Sequence, residues 1–433
     1  LIYDIIQYRI KLLLLTLWEE KKLTDIIVGL DIGTSNIRVA IAEILEDNSL
    51  QVIGLAVKPS NGVRSGSIVN IEAVIESIKA AIEDVEQEAG VDVIDCIAAI
   101  GGSQIESYNS HGLAAILSKN QQSREITQSD KEKALESARA TLIPLDREFL
   151  HIIPRDYTVD GVSGIKDPIN MMGVRLETDV HLVTASKTSI QNVYSCVNRA
   201  GYNLDNVWLK TLAQVQSVMH KDEMEMGSIL IDLGAGSTDV LVLIDGAPVC
   251  SLSVPVGGNH VTNDISIVKG IPFAVAERIK VQSGCCFLQT LENIQEIVIP
   301  GVGGRPPEVT TQDVLCQIIQ PRVEEIFELV RSEIVHKTDL HRLSGNIILT
   351  GGGALMSGVV ELAQNVFGTT AVRLGIPESL DDNDNYRSPD FATVIGLVQS
   401  QKKQYLESEV KNRYVSSGEK KENILKRIFK QLF

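Results

Sequence analysis

Ile26-Ile-Val-Gly-Leu-Asp-Ile-Gly-Thr-Ser-Asn-Ile-Arg-Val-Ala-Ile41 and Ser228-Ile-Leu-Ile-Asp-Leu-Gly-Ala-Gly-Ser-Thr-Asp-Val-Leu-Val-Leu-Ile244 are two versions of one pattern. Each is an apolar run that reads as a buried strand, a turn rich in Gly, Ser and Thr, and a second apolar strand. The chain therefore carries a duplicated α/β unit, and whatever the first turn does the second is built to do as well.

In both copies an Asp stands at the strand end and small or hydroxylated residues follow it. Glycine lets the backbone approach an anion, and free N–H groups and hydroxyls then donate to phosphate oxygens. The expected phosphate contacts are Gly33, Thr34, Ser35 and Asn36 in the first turn and Gly234, Ala235, Gly236, Ser237 and Thr238 in the second. A carboxylate beside phosphates is repulsive unless a cation intervenes. Asp31 and Asp232 are accordingly candidates to hold Mg²⁺ through its waters, because that ion gives up its hydration shell reluctantly. Either turn alone reads equally well as a Gly-rich hairpin. A third cluster, Ile347-Ile-Leu-Thr-Gly-Gly-Gly-Ala-Leu-Met-Ser-Gly358, tips the balance. There Gly351, Gly352, Gly353 and Met356 leave room for a flat ring or a ribose against the backbone.

Outward from these motifs, the helical spacing of Ile71, Val74, Ile75, Ile78, Ile82 and Val85 predicts a helix over 71–88 that covers one sheet face. The texture turns polar over 107–179, with a helix expected over Ser129 to Thr141 and strand-like pieces at Phe149 to Ile153 and Tyr157 to Val162. This reads as an α+β module inserted into the first domain (26–106 and 180–227). In the second domain (228–265 and 345–400), residues 266–344 form a largely helical insertion with a Gly/Pro loop at 300–307. A charged linker, 401–419, leads to a terminal helix, 420–433.

The charge balance is 40 Lys+Arg against 56 Asp+Glu, or −16, which excludes a general nucleic-acid binder. Six scattered cysteines show no CxxC or zinc spacing, so a disulfide framework and a zinc site are not expected and a reducing cytoplasm fits. The apolar run Leu12 to Trp18 is far short of the roughly 20 residues of a membrane span. Glu19 to Lys22 stand where a signal peptide would be cleaved, so residues 1–25 read as an extension of doubtful status.

On a helical wheel, Ile424, Leu425, Ile428, Phe429, Leu432 and Phe433 share one half of the terminal helix, and Asn423, Lys426, Arg427 and Lys430 the other. Five basic residues less Glu422 give this tail +4, leaving −20 on the remainder. The pattern is that of a helix lying in an anionic membrane surface.

The order of the phosphate turns and the later glycine cluster resembles the actin-like ATPase superfamily. Within it the chain resembles the FtsA family of bacterial cell-division proteins over about residues 26 to 433. His151-Ile-Ile-Pro-Arg-Asp-Tyr157, Gly257-Gly-Asn-His-Val-Thr-Asn-Asp264, Ala276-Glu-Arg-Ile-Lys-Val-Gln282 and Val302-Gly-Gly-Arg-Pro-Pro307 carry the closer likeness. The resemblance implies two related domains around an ATP and Mg²⁺ cleft, with 107–179 as subdomain 1C and 266–344 as subdomain 2B. It puts Glu277 and Lys280 at the adenosine. It further implies a peripheral protein of the cytoplasmic face of the inner membrane at the division site. Such a protein polymerises, binds the FtsZ tail on 2B, recruits later divisome membrane proteins through 1C, and has at most a weak or regulatory ATPase.

Two departures stand out. Asn36 occupies a position where many sequences of the family have Lys, and Arg38 is the nearest substitute cation. The segment Trp208-Leu-Lys-Thr-Leu-Ala-Gln-Val-Gln216 lacks the acid that positions water or substrate in actin-like chaperones and sugar kinases, and Gln214 and Gln216 read as helix-face residues. A pilus-assembly protein of the PilM kind would share the fold but has no reason to carry the terminal amphipathic helix. A carbohydrate kinase would need an acidic base facing the cleft, and none stands out.

Overall fold

The computed structural model describes residues 26–117, 123–292, 294–301, 303–304, 306–338, 346–381 and 384–406. Residues 1–25 and the membrane-helix candidate at 420–433 lie outside them. Strand β1 (Ile26–Ile32) turns at Gly33 into β2 (Asn36–Ile44), and β3 (Leu50–Pro59) continues the meander. Helix α1 (Ile71–Ala89) starts on the Asn70 side chain, which accepts from the Ala73 amide, and stops at left-handed Gly90. It buries Val74, Ile78, Ile82 and Val85, the apolar stripe its period predicts. Strand β4 (Asp95–Ile100) returns parallel to β1.

The insertion follows: β5 (Ile105–Ala115), α2 (Gln128–Arg139), β6 (Arg147–Val159), β7 (Val162–Ile165) and β8 (Arg175–Ser186). Its four-stranded sheet runs in the order β7-β6-β8-β5. Its first and last strands, β5 and β8, reach a few residues beyond 107 and 179, because they continue their mutual pairing as far as Ala185 opposite Ile105.

The chain rejoins the first domain with α3 (Lys187–Ala200), stopped by Gly201 at φ 106°, and β9 (Asn203–Leu209). Helix α4 (Lys210–Val218) crosses to the second domain. There β10 (Ser228–Leu233), β11 (Thr238–Ile244) and β12 (Ala247–Val254) repeat the first meander. Helices α5 (Gly258–Lys269), α6 (Phe273–Ser283) and α7 (Gln312–Lys337) form the helical module, so its first helix begins at Gly258, ahead of the expected 266. The Gly/Pro loop is flanked by a small strand pair, Glu296–Ile299 with Glu308–Thr311. Strand β13 (Asn346–Thr350), α8 (Val359–Phe367), β14 (Val372–Leu374) and a final helix, α9 (392–406), complete the fold.

The two main sheets have one topology. The first runs β9-β4-β1-β2-β3 and the second β14-β13-β10-β11-β12, with the same parallel and antiparallel pairings. Helices α1 and α3 cover one face of the first sheet, and α5 to α8 cover one face of the second. The opposite faces are covered by exchange. Val215 and Val218 of α4 pack on Leu230, Leu241 and Ile348 of the second sheet, whereas Val394, Ile395 and Val398 of α9 pack on Ile27, Ala40 and Ala42 of the first. The exchanged helices cross so closely that a Cβ on Gly396 would lie 1.9 Å from the Ala213 carbonyl oxygen.

Candidate functional site

Both turns are shaped by the same local need. Gly33 and Gly234 each close the hairpin so tightly that a Cβ would meet a backbone oxygen, at 2.6 Å from Asn36 and 2.7 Å from Ser237 respectively. The second turn is propped from behind, since the first amides of α5, Gly258 and Asn259, donate to the Gly234 and Ala235 carbonyls at 2.9 and 2.8 Å. The turns face each other across an open cleft.

That cleft is lined by Asp31, Gly33, Thr34, Ser35, Asn36, Asp232, Gly234, Ala235, Glu277, Lys280, Gly351 to Gly353 and Met356. All were expected as site residues from sequence. Three others behave differently. Gly236 and Ser237 line a narrower pocket, shared with Asp31, Gly33, Thr34, Gly234 and Ala235. Thr238 is fully buried and donates its hydroxyl to the Val256 carbonyl at 2.8 Å, so it braces the strand and is not offered to a ligand.

At one end of the cleft, Lys280 donates to Thr262 Oγ1 at 2.9 Å and the Gly258 carbonyl at 3.1 Å, and pairs with Glu277 at 2.7 Å. The Thr262 hydroxyl donates to Glu277. The pair is therefore a bridged polar wall of the cleft and not a loose surface i, i+3 contact. Opposite it, Gly351 holds φ 82° and leads into a 3-10 turn, Gly352–Leu355. A Cβ at Gly351 would lie 2.0 Å from Asp232 Oδ1, so glycine is required for the glycine cluster and the aspartate to coexist.

Sequence reasoning missed four contributors. Lys210, the first residue of α4, extends its ammonium between the two aspartates, 3.0 Å from Asp232 Oδ2 and 3.9 Å from Asp31 Oδ2. Burial alone would lower its pKa, but the carboxylates of Asp232, Asp31 and Asp239 outweigh this and hold it above the ordinary lysine value. Its segment lacks the acid that chaperones and kinases carry there and has a cation in the same place. Asp239 lies directly across the hairpin from Asp232 and accepts from the Gly102 amide at 3.0 Å. Burial first, and then the Asp232 charge, push its carboxyl up to about 6. Asp390 and Thr393 come from far down the chain, and no local pattern marks them. Asp390 takes Arg38 at 2.8 Å, so the expected substitute cation is already engaged. Gln214 is buried and donates to Thr393 Oγ1 at 3.0 Å, and Gln216 is exposed; neither faces the cleft.

For Mg²⁺ the donor set fits outer-sphere binding. Asp31 and Asp232 are 4% and 1% exposed, and Asp232 Oδ1 is buried without a hydrogen-bond partner. Among the described residues no group of three or more His, Cys, Asp or Glu could hold a metal by itself. Two carboxylates and water suit an ion that keeps most of its hydration shell.

Comparison with known proteins sorts the remaining readings. The Cell division protein FtsA family matches residues 229–396, and the SHS2 domain inserted in FtsA matches residues 102–184. Cell division protein FtsA of Borreliella burgdorferi is 41% identical over 401 residues, covering 92% of this chain and 96% of the relative. The Pseudomonas aeruginosa relative of the same name is 37% identical, covering 93% and 96%. Among solved structures, the PilM-PilN type IV pilus biogenesis complex superposes with a TM-score of 0.63 at 16% identity, covering 87% of this chain and 98% of that one. At that identity the likeness is one of fold, and the fold is actin-like.

Proposed function

The chain belongs to the FtsA family of bacterial cell-division proteins, and on that premise we propose that it is an ATP-binding, polymerising adaptor that ties the FtsZ ring to the cytoplasmic membrane. The observation that carries the nucleotide part is the convergence of both Gly-rich turns, Gly351 to Gly353 and the Glu277–Lys280 pair on one cleft. Backbone amides of the two turns hold the phosphates, and the Gly351 to Gly353 surface takes the ribose or base, with Glu277 and Lys280 at its edge. Mg²⁺, when bound, neutralises phosphate charge from the Asp31 and Asp232 side.

Turnover is slow in this reading. The segment that faces the phosphates from the first domain supplies Lys210 and a Gln214 committed to Thr393, with no carboxylate aimed at water. Occupancy of the cleft, more than consumption of ATP, then sets assembly.

The membrane contact rests on the amphipathic pattern of 420–433. No helix among the described residues is long and apolar enough to cross a membrane. Six large apolar side chains, at roughly 1.5 to 3 kcal/mol each when fully buried, outweigh the cost of ordering the helix. Binding is reversible for one copy and reinforced when a polymer presents many tails. The FtsZ tail docks on the helical module, where α5 and α7 frame an open groove beside exposed Ile267 and Val268. The inserted sheet recruits later division proteins.

Co-sedimentation with anionic liposomes, with and without ATP and FtsZ, tests the whole reading. The full chain should bind liposomes and bring FtsZ down with it, and Phe429→Glu should abolish both. Retained binding by Phe429→Glu removes the tail as the anchor, and ATP hydrolysis at tens per second removes the regulatory reading of the cleft.

A further inference from the structure

The first Gly-rich turn is braced by a segment that its own sequence does not contain. In a short hairpin, Val63–Arg64 pair with Ser67–Ile68, and the tip, Ser65 and Gly66, rests against both turns. The Gly66 amide donates to Thr34 Oγ1 at 3.1 Å. A Cβ on Gly236 of the second turn would lie 2.7 Å from Ser65 Cα and 2.8 Å from Thr34 Oγ1, so the Thr34 side chain stands where the two turns meet. A backbone amide can only donate. Thr34 Oγ1 therefore accepts from Gly66 and keeps its own proton for another acceptor, and among the described residues none takes it. The same side chain lines the cleft.

Gln104, in the link between β4 and β5, holds the hairpin tip. Its amide nitrogen donates to the Gly66 carbonyl at 3.1 Å and the Gly101 carbonyl at 2.6 Å, and its amide oxygen accepts from the Ser67 hydroxyl at 2.8 Å. Both carbonyls can only accept, which fixes the way the amide faces. Arg147 pins the link separately, donating to the Gln104 carbonyl at 2.8 Å, so the main chain there does not depend on the glutamine side chain. We propose that Gln104 is a positioning residue of the phosphate site: by holding Gly66 it keeps the Thr34 hydroxyl turned as a donor toward a phosphate oxygen. The inference rests on the nucleotide-binding reading above and deepens it. A hydroxyl without the Gly66 amide behind it also samples rotamers that set its lone pairs against the phosphate, which is repulsive. A donor aligned in advance avoids that reorganisation. Mg²⁺ keeps the place proposed for it beside Asp31 and Asp232.

Titration of the full chain with ATP and with adenosine, both in Mg²⁺, decides it. Gln104→Met keeps the bulk and loses the amide; it should weaken ATP about tenfold and leave adenosine, which has no phosphate, within about twofold of the wild type. Thr34→Val should weaken ATP to a similar extent. Adding Gln104→Met to it should cost less than about a further twofold, because the glutamine acts through the hydroxyl. Ser67→Ala, a small change that releases only the amide oxygen, should lose about threefold for ATP alone. ATP affinity of Gln104→Met within about twofold of the wild type overturns the proposal, as does an equal loss for adenosine or a double variant whose losses multiply. Should Gln104→Met fail to fold, unchanged ATP affinity in Ser67→Ala overturns it instead. A wild type that binds no ATP removes the nucleotide reading and this inference with it, whereas ATP binding that ignores these substitutions removes this inference alone.

Discussion

The two halves of the molecule share a backbone and differ in charge. Asp31 and Asp232 occupy equivalent strand ends, and both turns need glycine for the same close approach. Yet the residue directly across the hairpin is Arg38 in the first half and Asp239 in the second. Arg38 looks to Asp390 near the start of α9, and Asp239 looks to Gly102 at the end of β4. The repeat supplies a symmetric cradle, while the ligand it is proposed to hold has one phosphate tail and one base. Charge must therefore be distributed unequally, and Lys210 on the helix that leaves the first half is the largest inequality.

The strongest way to break the pairing of the halves is at the helix crossing. Gly396→Leu drives side-chain atoms into the Ala213 backbone and should cost about 4 kcal/mol or more, seen as a collapsed urea midpoint or loss of soluble protein. A near-normal midpoint would mean that the halves are held elsewhere.

Next comes the inequality of the aspartates. Asp232→Asn strands the Lys210 ammonium beside the more distant Asp31 and should destabilise by about 3 kcal/mol, whereas Asp31→Asn should cost about 1 kcal/mol. Equal losses in denaturant titrations would make the two sites interchangeable after all.

Acid should then probe how the inserted sheet is joined to each half. His151 accepts from the Leu209 amide at 2.8 Å inside the first half. His181, at the insertion, bonds Asn109 and Ser251 at 2.9 Å each and so ties the sheet to β12 of the second half. Burial lowers both to about 4. The unfolded chain takes up these protons first, near pH 6.5, so the stabilisation is complete above that pH and is lost as pH falls toward 4. About 2 kcal/mol should go with each histidine over that window. His181→Gln should remove its own share of that loss, about 2 kcal/mol, and an unchanged slope would show that His181 is not kept neutral at the seam, where Ser107 and Asn109 also bond β12.

The smallest effect is expected at Arg38→Ala. Its guanidinium is engaged by Asp390, so stability should fall by about 1 kcal/mol and ATP affinity by less than about threefold. A tenfold loss in a titration would show that Arg38 leaves Asp390 to meet the phosphates.

The duplicated strands, the helix over 71–89 and both Gly-rich turns were legible because each rests on local rules: strand hydrophobicity, helical period and the freedom of glycine. The glycine cluster was legible too, although the reason Gly351 must be glycine is Asp232, more than a hundred residues away. Lys210 was not legible, since nothing in Trp208 to Gln216 reveals that its first helical residue meets two strand ends of different halves. The same holds for Asp390 and Thr393, which α9 carries back across the molecule. Asp239 was in plain view in the second turn and unassigned, because its role depends on Gly101 and Gly102 of the other half packing against it. What the sequence hides here is contact between the halves.

The exchange of α4 and α9 has a consequence for the birth of the protein. Strands β1 to β3 are the first of the described elements to leave the ribosome, but the face formed by Ile27, Ala40, Ala42, Leu50 and Val52 is roofed by residues 386–398. For most of synthesis that sheet waits with one side open, some 350 residues ahead of its own lid. A truncated or stalled chain lacking α9 presents an apolar sheet to the cytosol, so quality control should recognise unfinished copies by this surface. Completion of the chain is thus also the step that closes its oldest part.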